Sequence, residues 1–470
     1  MKNTNRATSK RGNNRDNWQA RLQGLLGWAT LIGIFVSIIA FGANSLIAST
    51  LFSFFFLFLF ILQVLLTISR GRISDSANLF IPGILYFGVL GWAILQASPS
   101  TPQGWHHPFW ALTGPGNGAI SATPAQTMHA VLRLTAYAAV FWIAFQASRN
   151  RKHAQSLLAA FAFFSTTLAI FAIYAVAADN NPILGDRASQ AVSATYINRN
   201  SYATLAAFGV YANLSLYLAT FHNKLNENSD GRQIFRDFLI SFFSSGWIYL
   251  FGALIGTGAL VLTASRGGIA AYAIGAILVF FIYSRKNRNL TTAAWATAGV
   301  GIVIFAYTVS GQFFGRLFDT TSEEMRFVVF DTIISNINQY WLFGNGLGSF
   351  SETFRPFVPY EAATAEWSRA HNSYLENAWE LGVPAAVIFY TALIWICFFI
   401  LRLAWTSQKA SATTLASCGV ITMSILHAAL DFSLQIPANT AIFGFILGLT
   451  WGEITSKYSL ESSKQNTTIN

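Results

Sequence analysis

Five polar interruptions of an otherwise apolar chain carry residue types suited to gripping a phosphate and moving a proton. Thr263-Ala-Ser-Arg-Gly-Gly268 is a tight polar hairpin between two apolar runs. A guanidinium at Arg266 can hold phosphate through two parallel hydrogen bonds, and the glycines beside it permit close approach of a ligand. The alternative is an interfacial anchor whose charge reaches toward lipid headgroups. Tyr196-Ile-Asn-Arg-Asn-Ser-Tyr202 sets Arg199 between two asparagines at the start of an apolar run. A helix beginning there would add backbone donors for an anion, or Asn198 or Asn200 would simply cap it. In RAHNSYLENAWE, from Arg369, His371 can accept a proton near neutral pH with Asn372, Tyr374 and Glu376 nearby, or it can be a packing histidine. Arg326 precedes Asp331, Trp341 and the turn Gly344-Asn-Gly-Leu-Gly348, and reads as an anion contact or an ion-pair partner of Asp331. His427 and Asp431 in HAALDFSLQIPAN lie four apart at the end of an apolar run, where a structural hydrogen bond between them is expected. No second histidine follows His371 at helical spacing and no cysteine is near it, which argues against zinc. The glycine run lacks a preceding strand and a lysine, which argues against a nucleotide loop.

The elements that must position these residues are membrane helices. The chain is 53% hydrophobic and 10% charged, far below the roughly 25% charge of soluble domains. Its net charge of +10 gathers in short clusters between apolar runs, the pattern of membrane orientation and not of nucleic-acid binding. Cys397 and Cys418 fall inside apolar runs and imply no disulfide. Runs of spanning length predict an all-α, polytopic fold of about twelve transmembrane helices, near 25–43, 47–68, 79–98, 128–147, 156–178, 200–220, 241–264, 268–284, 290–310, 383–403, 412–429 and 438–454. The expected divisions are a basic arm (1–24), nine spans (25–310), a large loop (311–382), three spans (383–454) and a polar tail (455–470). Lys and Arg clusters at the N-terminal arm, Arg70/Arg72, Arg149/Arg151/Lys152, Lys224/Arg232/Arg236, Arg285/Lys286/Arg288 and Arg402/Lys409 fall on alternate sides of successive spans. Both termini are therefore expected in the cytoplasm, and the large loop outside it. Arg187, Arg199, Arg266, Arg316, Arg326, Arg355 and Arg369 stand on the outer side against this bias, where a charge calls for a reason. Within the large loop, Phe327, Phe330, Ile333, Ile334 and Ile337 predict an amphipathic helix, and a second helix is expected from Asn372 to Leu381, ending at Gly382-Val383-Pro384. No internal repeat is visible, which counts against transporters built from inverted repeats.

The runs YINRNSYATL, TASRGG, MRFVVFDTIISNINQYWLFGNGLGSF, HNSYLENAWELGVPA and HAALDFSLQIPAN, in that order, resemble the O-antigen ligase and O-antigen polymerase superfamily of bacterial envelope glycosyltransferases. They span roughly residues 190 to 450. The resemblance implies a polytopic C-type glycosyltransferase in the inner membrane. It would take a glycan from an undecaprenyl-pyrophosphate donor and pass it, with inversion and without metal or nucleotide, to a hydroxyl of lipid A core or of another glycan at the periplasmic face. Carried over by position, it implies His371 and Arg266 as catalytic and Arg199, Arg266 and Arg326 as pyrophosphate-binding. Ser201-Tyr202 stand where many relatives carry His-Phe. A polysaccharide polymerase, a protein O-oligosaccharyltransferase and, in another class, a lipid-linked oligosaccharide flippase are the alternative expectations.

Overall fold

Apolar runs opened by Pro, Asn or Ser fold as long helices, because these residues satisfy or dispense with the free N–H groups of a first turn. Pro124 and Pro384 stand in first turns, and the side chains of Asn150, Ser265, Asn372 and Ser411 each accept a backbone N–H. The computed structural model describes residues 2–70, 77–112, 118–185, 191–222, 232, 236, 246–285, 321–363, 365–407 and 410–468. Among them the α-helices are α1 (Lys2–Ile39), α2 (Leu46–Arg70), α3 (Phe80–Ala97), α4 (Pro124–Ala147), α5 (Arg151–Ala177), α6 (Arg199–His222), α7 (Trp247–Leu262), α8 (Arg266–Ser284), α9 (Thr321–Asn336), α10 (Phe350–Phe354), α11 (Ser373–Leu381), α12 (Val383–Thr406), α13 (Ala412–Ala428) and α14 (Pro437–Thr468), with no strand.

The fold is all-α and polytopic. Eight of these helices are long and apolar enough to cross a membrane, while α7 and α13 are apolar but shorter. Eleven of the twelve expected spans coincide with helices, and the one expected at 290–310 lies outside the described residues, as do Arg187 and Arg316. α13 is buried almost along its whole length. Its neighbours α6 and α8 are held close by small residues: a Cβ on Gly275 of α8 or Gly419 of α13 would run into the Tyr211 ring of α6. α4 and α14 pack by the same device. Gly444, Gly448 and Gly452 recur every four residues along α14 and lie against the α4 backbone at Tyr137, Phe141 and Phe145, and Ser148 donates to the Gly448 carbonyl at 3.3 Å.

Successive long helices alternate in direction, so the ends of α1, α3, α5, α7 and α13 meet the starts of α2, α4, α6, α8, α12 and α14 at one end of the bundle. Two bonds tie this end together: Thr195 Oγ1 donates to Ile38 O at 2.7 Å, and Val192 N to Leu262 O at 3.3 Å. At the opposite end Arg285 donates to Ser407 O at 2.7 Å and Arg151 pairs with the buried Glu453 at 3.2 Å.

The described part of the large loop covers the first end. α9 does bury an apolar face, through Val329, Phe330 and Ile333, but Phe327 and Ile334 point outward at 57% and 54% exposure. Phe330 and Ile333 are buried as expected, while Val329 joins them in place of Phe327 and Ile334, because the loop core of Phe350, Phe354 and Trp379 engages the Val329/Ile333 side. α11 runs from Ser373 to Leu381 with Asn372 as its cap, and the chain breaks at Gly382 (φ +81°), as the sequence predicted. The glycine turn locks onto the end of α11: Asn345 N and Gly346 N donate to Trp379 O and Glu380 O, at 3.1 and 2.9 Å. A Cβ on Gly344, where φ is +69°, would collide with the Glu380 carbonyl. The loop after α3 joins the same lid through His107 Nε2 and Asn345 Oδ1, 2.9 Å apart.

Candidate active site

The chain between α13 and α14, residues 429–436, is the point on which the polar interruptions converge. Asp431 within it is fully buried. Its Oδ2 accepts from Asn200 Nδ2 at 2.8 Å and its Oδ1 from Ser433 Oγ at 2.6 Å, and its backbone oxygen accepts from Ser373 Oγ at 3.2 Å. His371 Nδ1 faces the same Oδ2 at 3.5 Å, a charge-pairing distance beyond an ordinary hydrogen bond. Burial alone pushes the Asp431 carboxyl up, but His371, His427 and Ser433 together outweigh it and hold it down at about 2. Asp431 is therefore an anion at any physiological pH.

His371 is held in a left-handed backbone conformation, φ +54°, which a β-carbon disfavours. Its neighbours on both sides impose it. Glu376, fully buried one turn into α11, accepts from Ala370 N at 2.7 Å and from Arg369 Nη1 at 3.2 Å. On the other side the Asn372 side chain accepts from Tyr374 N and Leu375 N at 3.0 and 3.1 Å. Trp367 and Phe432 stand edge-on to the imidazole, with centroids 5.8 and 4.8 Å away. Nδ1 is thus buried toward Asp431 while the ring keeps an exposed edge, the arrangement that lets Nε2 take a proton as the carboxylate steadies the resulting cation. Burial works against the Arg369 charge, yet Glu376 and Glu380 keep it firmly protonated. Glu380, buried beside Glu376, has its own carboxyl pushed up to about 8.

The three predicted arginines occupy the same end of the bundle. Arg199 is the first residue of α6 and exposed; Asn198 is the cap, accepting from Asn200 N at 2.7 Å, which leaves the Asn200 side chain for Asp431. Arg266 opens α8 behind the Ser265 cap. The adjacent glycines serve the protein's own packing: a Cβ on Gly267 would meet Leu430 Cδ1 at 3.3 Å and His427 Cδ2 at 3.5 Å, and one on Gly268 would crowd Ser265 and Ala203. Arg326 Nη1 donates to Leu430 O at 3.3 Å.

Two expected pairings are corrected. Among the described residues no ion pair joins Arg326 to Asp331, which is exposed. His427 does not bond Asp431, because α13 ends at Ala428 and carries Asp431 off the helical register; His427 Nδ1 instead lies 2.8 Å from Thr204 Oγ1 and 3.4 Å from Ser433 Oγ. The sequence reading thus named Asp431 but gave it the wrong histidine, and it overlooked Asn200 as its donor. Among the described residues no three His, Cys, Asp or Glu side chains gather as a metal-ligand set.

Residues 251–390, from within α7 to the first third of α12, match the family model described as O-antigen ligase. Over that stretch, less than a third of its length, the chain is similar to the O-antigen ligase family. No curated protein matches it. The O-antigen ligase match contains Arg266, Arg326 and His371, whereas Arg199 precedes it and Asp431 follows it. The match supports a ligase- or polymerase-type function.

Proposed function

We propose that this protein is a ligase-type membrane glycosyltransferase that moves a glycan from undecaprenyl pyrophosphate to a hydroxyl of lipid A core at the periplasmic face of the inner membrane. The observation that carries the reading is the convergence on one turn of a histidine backed by a buried carboxylate and of the segments bearing three arginines. His371 Nε2 takes the proton of the acceptor hydroxyl as its oxygen bonds to the anomeric carbon. The bond from that carbon to the diphosphate breaks on the opposite side, its electron pair leaving with the diphosphate, so the configuration inverts. Arg199, Arg266 and Arg326 offset the charge gathering on the leaving group, which counts for most where water is scarce. The chemistry needs no nucleotide, because the donor brings its own leaving group.

The test is transfer by the purified, lipid-reconstituted protein from an undecaprenyl-pyrophosphate glycan to a core acceptor. His371→Ala should lower the rate by about two to four powers of ten, and Arg266→Ala should lower it too, with both variants inserted and folded. Undiminished transfer in both variants defeats these roles. Joining of repeat units to one another points to a polymerase, transfer to peptide hydroxyls to a protein glycosyltransferase, and translocation without bond formation to a flippase.

A further inference from the structure

Asn439 stands in the first turn of α14, in the run that also carries His427 and Asp431, and no step of the reaction above uses it. Its side chain is wholly buried. Nδ2 donates to Ser201 O at 2.9 Å and to Ser433 O at 3.0 Å, and Oδ1 accepts from the Tyr196 hydroxyl at 2.9 Å. Carbonyl oxygens only accept, so the nitrogen must face the two of them and the amide has one possible orientation. Asparagine is a poor helix former because its amide competes for nearby backbone groups. Here the amide is turned inward, onto two other segments of the chain.

Those two segments supply the side-chain hydrogen bonds of Asp431. Asn200, beside Ser201 in α6, donates to Asp431 Oδ2 at 2.8 Å, and Ser433 itself donates to Oδ1 at 2.6 Å. Both bonds need the donor's backbone held in place, since a hydrogen bond weakens steeply as its angle closes. One buried amide therefore sets the separation between the start of α6 and the turn at 429–436, and with it the seat of the carboxylate. Tyr196, also buried, pins that amide from the chain leading into α6. Among the described residues the titratable groups facing Asp431 are His371 from the lid and His427 from α13, while Arg326 of α9 bonds the neighbouring Leu430 carbonyl. His371 lies 3.5 Å from the same Oδ2 that Asn200 holds. A carboxylate released by Asn200 and Ser433 could turn away from that imidazole.

We propose that Asn439 is a positioning residue for the transfer and acts through Asp431, locking the two donor segments together so that the carboxylate stays directed at His371. The inference rests on the transfer reaction above. Being wholly buried, Asn439 reaches neither substrate, so its effect falls on turnover and not on binding.

Steady-state transfer by the full chain in lipid nanodiscs tests this, with folding followed by thermal melting. Asn439→Ala should lower kcat by about tenfold to a hundredfold and leave both the donor and the acceptor KM within about twofold of the wild type. Tyr196→Phe keeps both carbonyl bonds and loses only the pin on the amide oxygen, so it should melt close to the wild type and lower kcat by a smaller factor. In an Asp431→Asn background neither substitution should lower kcat further, because the charge it serves to place is already gone. A purely structural residue would instead show the same fractional loss in both backgrounds. An undiminished kcat in Asn439→Ala, an equal loss in the Asp431→Asn background, or a rise in either KM in place of the fall in kcat overturns the assignment. Where Asn439→Ala does not fold, Tyr196→Phe decides by the same comparison, and an undiminished kcat there overturns it. Absence of transfer by the wild type overturns the reaction itself and this assignment with it.

Discussion

A single residue, Asp431, ties two distant segments of the chain to its own turn, through its carboxylate and its backbone oxygen. Asn200, His371, Ser373 and Ser433 all reach it, and His371 is the one with an exposed edge. Asp431→Asn keeps the shape and removes the charge that steadies a protonated imidazole, so kcat for glycan transfer should fall on the order of 10²-fold or more while the acceptor KM changes little. An unchanged kcat would make Asp431 a purely structural residue. Glu380 in the lid and Asp431 in the turn beneath it have opposite pH signatures. Glu380 keeps its proton in the fold up to about 8, against an ordinary 4.5, so the native state binds more protons between those values and stability falls as pH rises across them. Asp431 is held at about 2 against an ordinary 3.8, so the stability it contributes is present above 3.8 and lost as pH falls toward 2. Thermal melting in detergent should therefore decline from pH 5 to pH 8, and Glu380→Gln should flatten that slope. An equal decline in the variant would assign the slope to another group.

The lid elements owe their positions to backbone contacts more than to side-chain area. α11 is capped by Asn372, stopped by Gly382 and gripped from behind by the glycine turn, whose N–H groups take its last carbonyls. This clamp is what holds His371 in its unfavourable backbone conformation. Gly344→Ala forces a β-carbon into the Glu380 carbonyl at a positive φ, and should cost about 1–3 kcal/mol. The measurement is a lowered melting temperature together with a lowered kcat, as α11 shifts and carries His371 away from Asp431. A variant that melts lower but turns over normally would separate the clamp from the site. The cap, the Gly382 stop and the α11 boundaries were legible in the sequence because each depends on residues within one or two turns. The buried face of α9 was legible only in part, at Phe330 and Ile333, because several apolar residues were available and the loop core selected Val329 over Phe327 and Ile334.

At the scale of the whole molecule, every described site segment lies at one end of an alternating helix bundle, and the basic clusters at Arg149–Lys152 and Arg285 lie at the other. We propose that the site end faces the periplasm. Tyr360 on the lid is 92% exposed, while Cys397 and Cys418 are buried, so Tyr360→Cys in intact cells should react with a membrane-impermeant maleimide against a low background. Protection in cells with labelling only after lysis would reverse the orientation. The sequence alone determined that the chain is a helical membrane protein, where most of its helices begin and end, and which motifs hold arginine and histidine. These follow from short-range hydropathy, capping and charge. Only the tertiary structure decided that Asn200 and Asp431, 231 residues apart, share a hydrogen bond, and that Asp431 belongs to His371 and not to His427. Contacts of that range depend on how helices pack against one another, and the small residues that set the packing distances carry no label for the partners they admit.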